Sequence, residues 1–555
     1  MPSRLEQTHS TLQDVPSPSI TRREWQSTIG VALFILLLIG LPYAVGAWSS
    51  TPDRVFTGFL VGRIGLEDDS SYLGKMMQGA HGVWLGFFPH TGVPHSSTLF
   101  FLFYRLLGGL CQAVNIPLVV GFHAARLALA FGLVLVLYRF IAEFMASPRA
   151  RLLALALIVL AGGTGWLSIL SGLNAATVDP PLEIVSPESY TFWMLYTTPH
   201  LIAAELLLLC GVWLVWRAGA TGQWRLALLG GISWLGMAVL QPIFAAVAAG
   251  LALFMVAGRS LAQRRLARRQ VSAGLLAVLL VSPMILYSAG VIAADPVYAY
   301  WADTQTTTSG SPASFVWSYA FLLLLAIPGV IAAWRQRRDA GWMFLLVWFL
   351  LQPLLLYAPT LAQRRLIVGW QVPLSILIAC GLETYVHPFL ARHFPQQGRR
   401  LWRTTAAGVV GFTMLTYGLL ILWNLASVIT RQPEYYNSID QLAVARWLDV
   451  HATYADGVLA AFSTSTFLPA YADVRVHAGH HNETAWVHER RAELAQFFQN
   501  STSSAWRRDL LKRYAMTYVL YGPDERALGD FDPAQAPYLR PVFASGEIRL
   551  YRVEL

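Results

Sequence analysis

"SSTLFFLFYRLLGGLCQAVN" (residues 96–115) decides how the chain threads a membrane. It is apolar enough to tempt a reading as a span, but it is short and carries Arg105 and a Gly-Gly pair. Counted as a span, it flips the side on which every later loop lies and puts "SPRAR" (147–151) and the clusters after it outside. Read as a helix lying at the outer interface or re-entrant, it leaves all basic clusters on one side. The clusters "TRRE", "SPRAR", "WRAGATGQWR", "GRSLAQRRLARRQ", "WRQRRDAG" and "ARHFPQQGRRLWR" then share the side of the N-terminus, which the positive-inside rule makes cytoplasmic.

Working outward, apolar runs of membrane length repeat along the chain. They predict helices over 29–48, 118–141, 152–170, 197–216, 226–240, 242–258, 271–292, 315–334, 342–359, 366–386 and 404–428, eleven spans in all. The composition agrees: of 555 residues 55% are hydrophobic and only 13% charged, where a soluble domain carries about a quarter. The net charge of +9 sits in those short loop clusters, so it reports topology and excludes a nucleic-acid partner. Three scattered cysteines, Cys111, Cys210 and Cys380, make no paired framework and no CxxC site, and read as small buried hydrophobes.

Residues 1–28 are polar and predict a disordered cytoplasmic tail. The run at 29–48 is longer than a signal h-region and more spans follow, so it reads as an uncleaved first helix. The opposite side then receives the connections 49–117, 171–196 and 293–314, and a tail 429–555. In the tail "AVARWLDVHA" reads as a helix, "GVLAAFS" and "MTYVLYG" as buried strands, and "EIRLYRVEL" as a terminal strand: an extracytoplasmic α/β domain.

The first outer loop holds "GLEDDSSYLGKMMQGAHG" (65–82), with Glu67, Asp68 and Asp69 adjacent. Either aspartate can cap a helix starting at "SSYLGKMM", where the dipole favours negative charge, with Tyr72 and Met76 on a face suited to the membrane surface. The plain alternative is a solvated acidic turn. In "YAPTLAQRRLIVGWQVPL" (357–374) Arg364 and Arg365 break the charge rule at the outer face. Their guanidinium forks suit a phosphate, and the plain alternative is anchoring to lipid head groups. The tail stretch "VHAGHHNETAWVHE" supplies His477, His480, His481, Glu483 and His488, ligand types for zinc but without standard spacing. Asp179, Glu183, Glu188, Asp295 and Asp303 are further outer acids.

"EDDSSYLGKMMQGAHGVW", "TTPHLIAAELLLL" with Pro199-His200, and the pairs Gly479-His480 and Glu483-Thr484 resemble motifs of the GT-C superfamily of integral membrane glycosyltransferases. The likeness is nearest the bacterial branch with protein mannosyltransferase-like and aminoarabinose transferase-like enzymes. Gln241-Pro242 stands where some relatives have His-Pro. The resemblance implies a polytopic α-helical fold of about eleven spans with a C-terminal extracytoplasmic α/β domain. It implies inverting transfer from a polyprenyl-phosphate-linked sugar to a lipid, glycan or protein acceptor. Asp68, then Asp69, then Glu67 are its candidates for the catalytic carboxylate, and Arg364 and Arg365 for the donor phosphate. Tyr72, His200, His480 and Glu483 are its substrate contacts. No metal ligands are specified, although a divalent cation could share the phosphate charge. The rival classes are a glycolipid transporter or flippase, which needs ionisable residues inside the spans (Glu205 is the main one) and repeat symmetry, and a non-catalytic membrane protein whose tail binds an envelope partner.

Overall fold

A computed structural model describes residues 19–60, 62–171 and 181–555, so Asp179 and most of the N-terminal segment lie outside the described residues. Among these, seven helices are each long and apolar enough to cross a membrane. Three bent helix pairs raise the number to ten, and the 17-residue apolar helix Trp224–Leu240 occupies the eleventh predicted position. The chain is thus a multi-pass membrane protein.

The first helix, α1 (Arg22–Trp48), begins seven residues before its apolar run. Thr21 accepts from the Glu24 backbone and Glu24 reaches back to Thr21, a capping box that starts the helix inside the polar segment. Glu24 is then buried against Arg151, 2.7 Å away.

The first long loop folds as two helices laid together, α2 (Gly62–Ala80) and α3 (Leu102–Ala113). With twelve residues, α3 is about 18 Å long, too short to cross a bilayer. Tyr104, Arg105, Gly108 and Cys111 face the protein while Leu106 and Leu110 face outward, so the stretch at 96–115 is an amphipathic helix and not a span. Arg105 is accommodated because it donates to the carbonyls of Trp84 and Thr98. The two helices touch backbone to backbone: a Cβ on Gly79 would lie 1.9 Å from the Arg105 carbonyl oxygen, and one on Gly108 would lie 1.9 Å from that of Met76. Leu118–Ile141 (α4) then enters the helical bundle.

Two expectations about this loop are corrected. Asp68 and Asp69 do not cap a helix starting near residue 70, because α2 already runs from Gly62 and holds both in its interior. The face of Tyr72 and Met76 does not rest on a membrane surface. Met76 is fully buried with Leu73, Tyr104 and Ala470, since apolar side chains of α3 and the tail cover that face before lipid can.

The tail holds a five-stranded mixed sheet of order β4-β3-β5-β7-β6, where β3 is Gly457–Leu459, β4 Arg475–Val476, β5 Met516–Tyr521, β6 Leu539–Ser545 and β7 Ile548–Val553. Two ladders tie it to the first loop. Strand β1 (Arg54–Phe56) pairs antiparallel with β2 (Tyr436–Ser438). Beyond β4, Val476 N–H donates to the Pro89 carbonyl and Gly92 N–H to that of His477, so the loop covers the exposed sheet edge. The tail helix Phe462–Tyr471 packs on α2, with the Pro469 carbonyl 3.2 Å from a Cβ built on Gly74.

Candidate active site

Because three consecutive residues of a helix point about 100° apart, α2 sends its acids to three environments. Glu67 accepts the backbone N–H of His481 at 2.7 Å. Asp68 stays 53% exposed and meets Nε2 of His480 at 3.2 Å. Asp69 turns inward and is buried. That burial lifts its carboxyl well above the usual range, the Asp68 charge adds to the lift, and Arg126 opposes it. The sequence ranked the three acids only by resemblance; the helix gives each its own surroundings.

One turn on, Tyr72 is half-buried and stacks on Tyr104 with ring centroids 4.5 Å apart, and its ring meets His200 edge-on at 5.2 Å. The Tyr104 hydroxyl is bonded to His200 Nδ1 at 2.6 Å. His200 therefore opens its helix, Pro199–Thr221, against the rings of α2 and α3. Burial and the two carboxylates Asp68 and Asp69 raise the Tyr72 phenol well above its ordinary value, while the Arg365 charge pulls the other way. The charges of Arg365 and Asp68 also both act on His200. The acidic and basic motifs, about 300 residues apart in sequence, thus both act on Tyr72 and His200.

The arginine pair sits in a turn tied to the connection at 293–314. Arg364 N–H donates to the Thr307 carbonyl, and Thr307 N–H to that of Leu361. Arg365 donates to Gln305 Oε1 at 2.9 Å and lies 3.7 Å from Glu188. Arg364 Nε is buried without a hydrogen-bond partner among the described residues. Of the other loop acids, Glu183 is buried with one oxygen on the Gly165 backbone, Asp295 accepts from Ser96, and Asp303 is exposed.

Below Asp68 lies a buried polar network that the sequence did not suggest. Glu483, 4% exposed, accepts from Lys75 Nζ at 2.6 Å and from Ser71 Oγ at 2.7 Å, and Lys75 also bonds Ser71. Lys75 is one of two lysines in the chain and sits 4.1 Å above the Phe101 ring. A compact ammonium fits there, where a guanidinium would demand more donors to be satisfied. His90 Nδ1 lies 3.7 Å from the other Glu483 oxygen. Burial alone would push Glu483 up, but Lys75, His480 and His90 outweigh it and hold the carboxylate well below its usual range. Thr484 completes the motif: its hydroxyl accepts from the Gly479 and His480 N–H groups and donates to the His90 carbonyl. Two clues to Lys75 were visible: it stands alone among arginines, and it lies four residues from Ser71. Nothing flagged His90, and Glu188 stood only among the further loop acids.

His477 pairs with Glu493 and not with the other tail histidines. Among the described residues no group of three or more His, Cys, Asp or Glu side chains is arranged to hold a metal ion.

No protein-family profile and no curated protein matches the sequence. Solved structures do resemble it. The arabinofuranosyltransferase AftD from Mycobacteria matches 97% of this chain and 40% of its own at TM-score 0.53 and 13% identity. The oligosaccharyltransferase of Archaeoglobus fulgidus, in a complex with Zn and sulfate, matches 94% of this chain and 73% of its own at TM-score 0.49 and 13% identity. This chain spans about two fifths of the mycobacterial enzyme's length. The fold is that of the GT-C membrane glycosyltransferases, as the motifs led us to expect.

Proposed function

We propose that this protein is a membrane glycosyltransferase that moves a sugar from a polyprenyl-phosphate-linked donor to an acceptor hydroxyl or amide on the extracytoplasmic face. The observation that carries the reading is that an exposed carboxylate, Asp68, and a partly exposed arginine, Arg365, both act on Tyr72 and His200, and the space between them is the proposed cleft.

Asp68 is the base because an acceptor can reach it, whereas Asp69 is buried. As the acceptor oxygen bonds to the anomeric carbon, its proton passes to the Asp68 carboxylate. The bond from that carbon to the phosphate oxygen breaks, and its electron pair leaves with the polyprenyl phosphate. Arg364 and Arg365 stabilise the charge that grows there, and a single displacement inverts the centre. Arg364 Nε, buried and without a partner among the described residues, supports a role in binding a ligand oxygen. Tyr72 and His200 line the sugar's place, while His480 and Glu483 support the acid helix from beneath.

The test is transfer of label from a panel of polyprenyl-phosphate sugars by purified protein, with Asp68→Asn, Asp69→Asn and Arg364→Ala alongside. Turnover falling about 10²–10⁴-fold in Asp68→Asn while donor still binds supports the assignment. Turnover that survives in all three variants places the chemistry elsewhere. A second reading, a non-catalytic protein with a binding tail, predicts no transfer and an unchanged phenotype on loss of Asp68.

A further inference from the structure

The tail domain does more than sit beside the cleft. His480 is 3% exposed, and its two ring nitrogens have different partners. Nδ1 accepts the backbone N–H of Asn482 at 3.0 Å and of Glu483 at 3.2 Å. A nitrogen that accepts two N–H groups carries no proton, so the neutral ring holds its hydrogen on Nε2. That Nε2 points at Asp68 Oδ1 from 3.2 Å. The loop bearing the ring is fixed to α2 through Glu483, Lys75 and Ser71. We propose that His480 is a positioning residue for the transfer reaction: the backbone of residues 482–483 sets its tautomer, its Nε2–H orients one oxygen of Asp68, and the other oxygen stays free to take the acceptor proton.

This inference rests on Asp68 being the base. The geometry has a chemical purpose under that reading. A free aspartate on an exposed helix face samples several rotamers, only some aimed at the cleft. One fixed N–H donor removes most of them and leaves the second oxygen's lone pairs toward the substrate. It also makes the tail domain part of the site, because the donor comes from the loop after β4, about 410 residues from its acceptor in sequence.

The groups that face the imidazole are Asp68 and Lys75 from α2, Glu483 from its own loop, and His90, whose ring centroid is 5.9 Å away. Burial pushes the His480 pKa down and the Glu483 and Asp68 charges outweigh it, while the two N–H groups at Nδ1 oppose a second proton on the ring. Removing the Asp68 charge therefore lowers the His480 pKa.

The experiment uses the full chain labelled with ¹⁵N-histidine in lipid nanodiscs. The His480 signal is identified as the one lost in His480→Gln. In the wild type the neutral ring shows the Nε2–H tautomer, and its titration moves to lower pH in Asp68→Asn. A ring of the other tautomer, or one that titrates identically in Asp68→Asn, overturns the proposal with no substrate needed. Turnover with a labelled polyprenyl-phosphate sugar then separates positioning from mere folding. His480→Ala lowers kcat at least tenfold with donor KM unchanged, and His480→Gln, which can still present an N–H, recovers most of it. Equal activity of the Ala and Gln variants overturns the positioning role. If Asp68→Asn is dead while His480→Ala is fully active, this inference alone fails; if Asp68→Asn stays active, the assignment of the base fails and takes this inference with it.

Discussion

The buried contact between Lys75 and Glu483 is the strongest polar tie between the first loop and the tail, and Lys75→Met tests it. Methionine fills a similar volume on the Phe101 ring but leaves Glu483, 4% exposed, without its nearest cation. Removing one partner of a buried ion pair costs about 3–5 kcal/mol, because the remaining charge keeps its desolvation penalty. At 1.4 kcal/mol per decade this is roughly two to three and a half orders of magnitude in the opening equilibrium of the local structure. The readout is hydrogen exchange of the amides at Gly479, His480 and Thr484, whose N–H groups are bonded within the same loop. These amides exchange more than 100-fold faster in Lys75→Met if the loop opens locally. The double variant Lys75→Met/Glu483→Leu removes both charges and returns protection to within about tenfold of wild type. The pH dependence follows from the sign of the Glu483 shift. Its folded value lies well below 4.5, so its contribution is fully present above about pH 4.5 and is lost only as the pH falls through the folded value. The Glu483 contribution itself is therefore flat across neutral pH, while that of His480, whose value is raised, is lost as the pH rises through it. An increase below tenfold in Lys75→Met, or a double variant as open as the single one, refutes the claim that this pair holds the tail on the acid helix.

Two further outcomes follow from other parts of the structure. Arg365→Ala lowers turnover with a polyprenyl-phosphate sugar about 100-fold or more, and Arg365→Lys restores only a small part, since a point charge lacks the fork that reaches Gln305 and the donor together; full activity of the lysine variant removes the bidentate argument. Gly108→Val forces α3 off α2, because its Cβ would start 1.9 Å from the Met76 carbonyl oxygen, and in a variant keeping only Cys111 the thiol, 1% exposed in the native fold, becomes reactive to a maleimide probe; an unlabelled thiol in correctly inserted protein shows that the crossing tolerates the change.

What the sequence carries plainly is whatever depends on local composition. Each predicted span has an apolar helix or bent helix pair at its place, because twenty consecutive apolar side chains have few alternatives in lipid. The reading of residues 96–115 as a non-spanning helix rested on the side of the basic clusters, on shortness and on Arg105 and Gly108-Gly109, and the last two have concrete duties: Arg105 satisfies two loop carbonyls, and Gly108 admits the backbone of α2. The start of α2 was misjudged because the acids "EDD" look like a cap, while the helix begins at Gly62 and holds them in its interior. The site divides the same way. The acids and the arginine turn were visible as charges in unexpected places, and charge patterning is local. The partners that differentiate the acids were invisible, since His480, Glu483 and Arg126 reach α2 only through the tertiary fold. A helix explains why this matters: adjacent residues on it diverge by about 100°, so three identical-looking carboxylates must end in three different surroundings, and the surroundings, not the letters, choose which one faces the substrate.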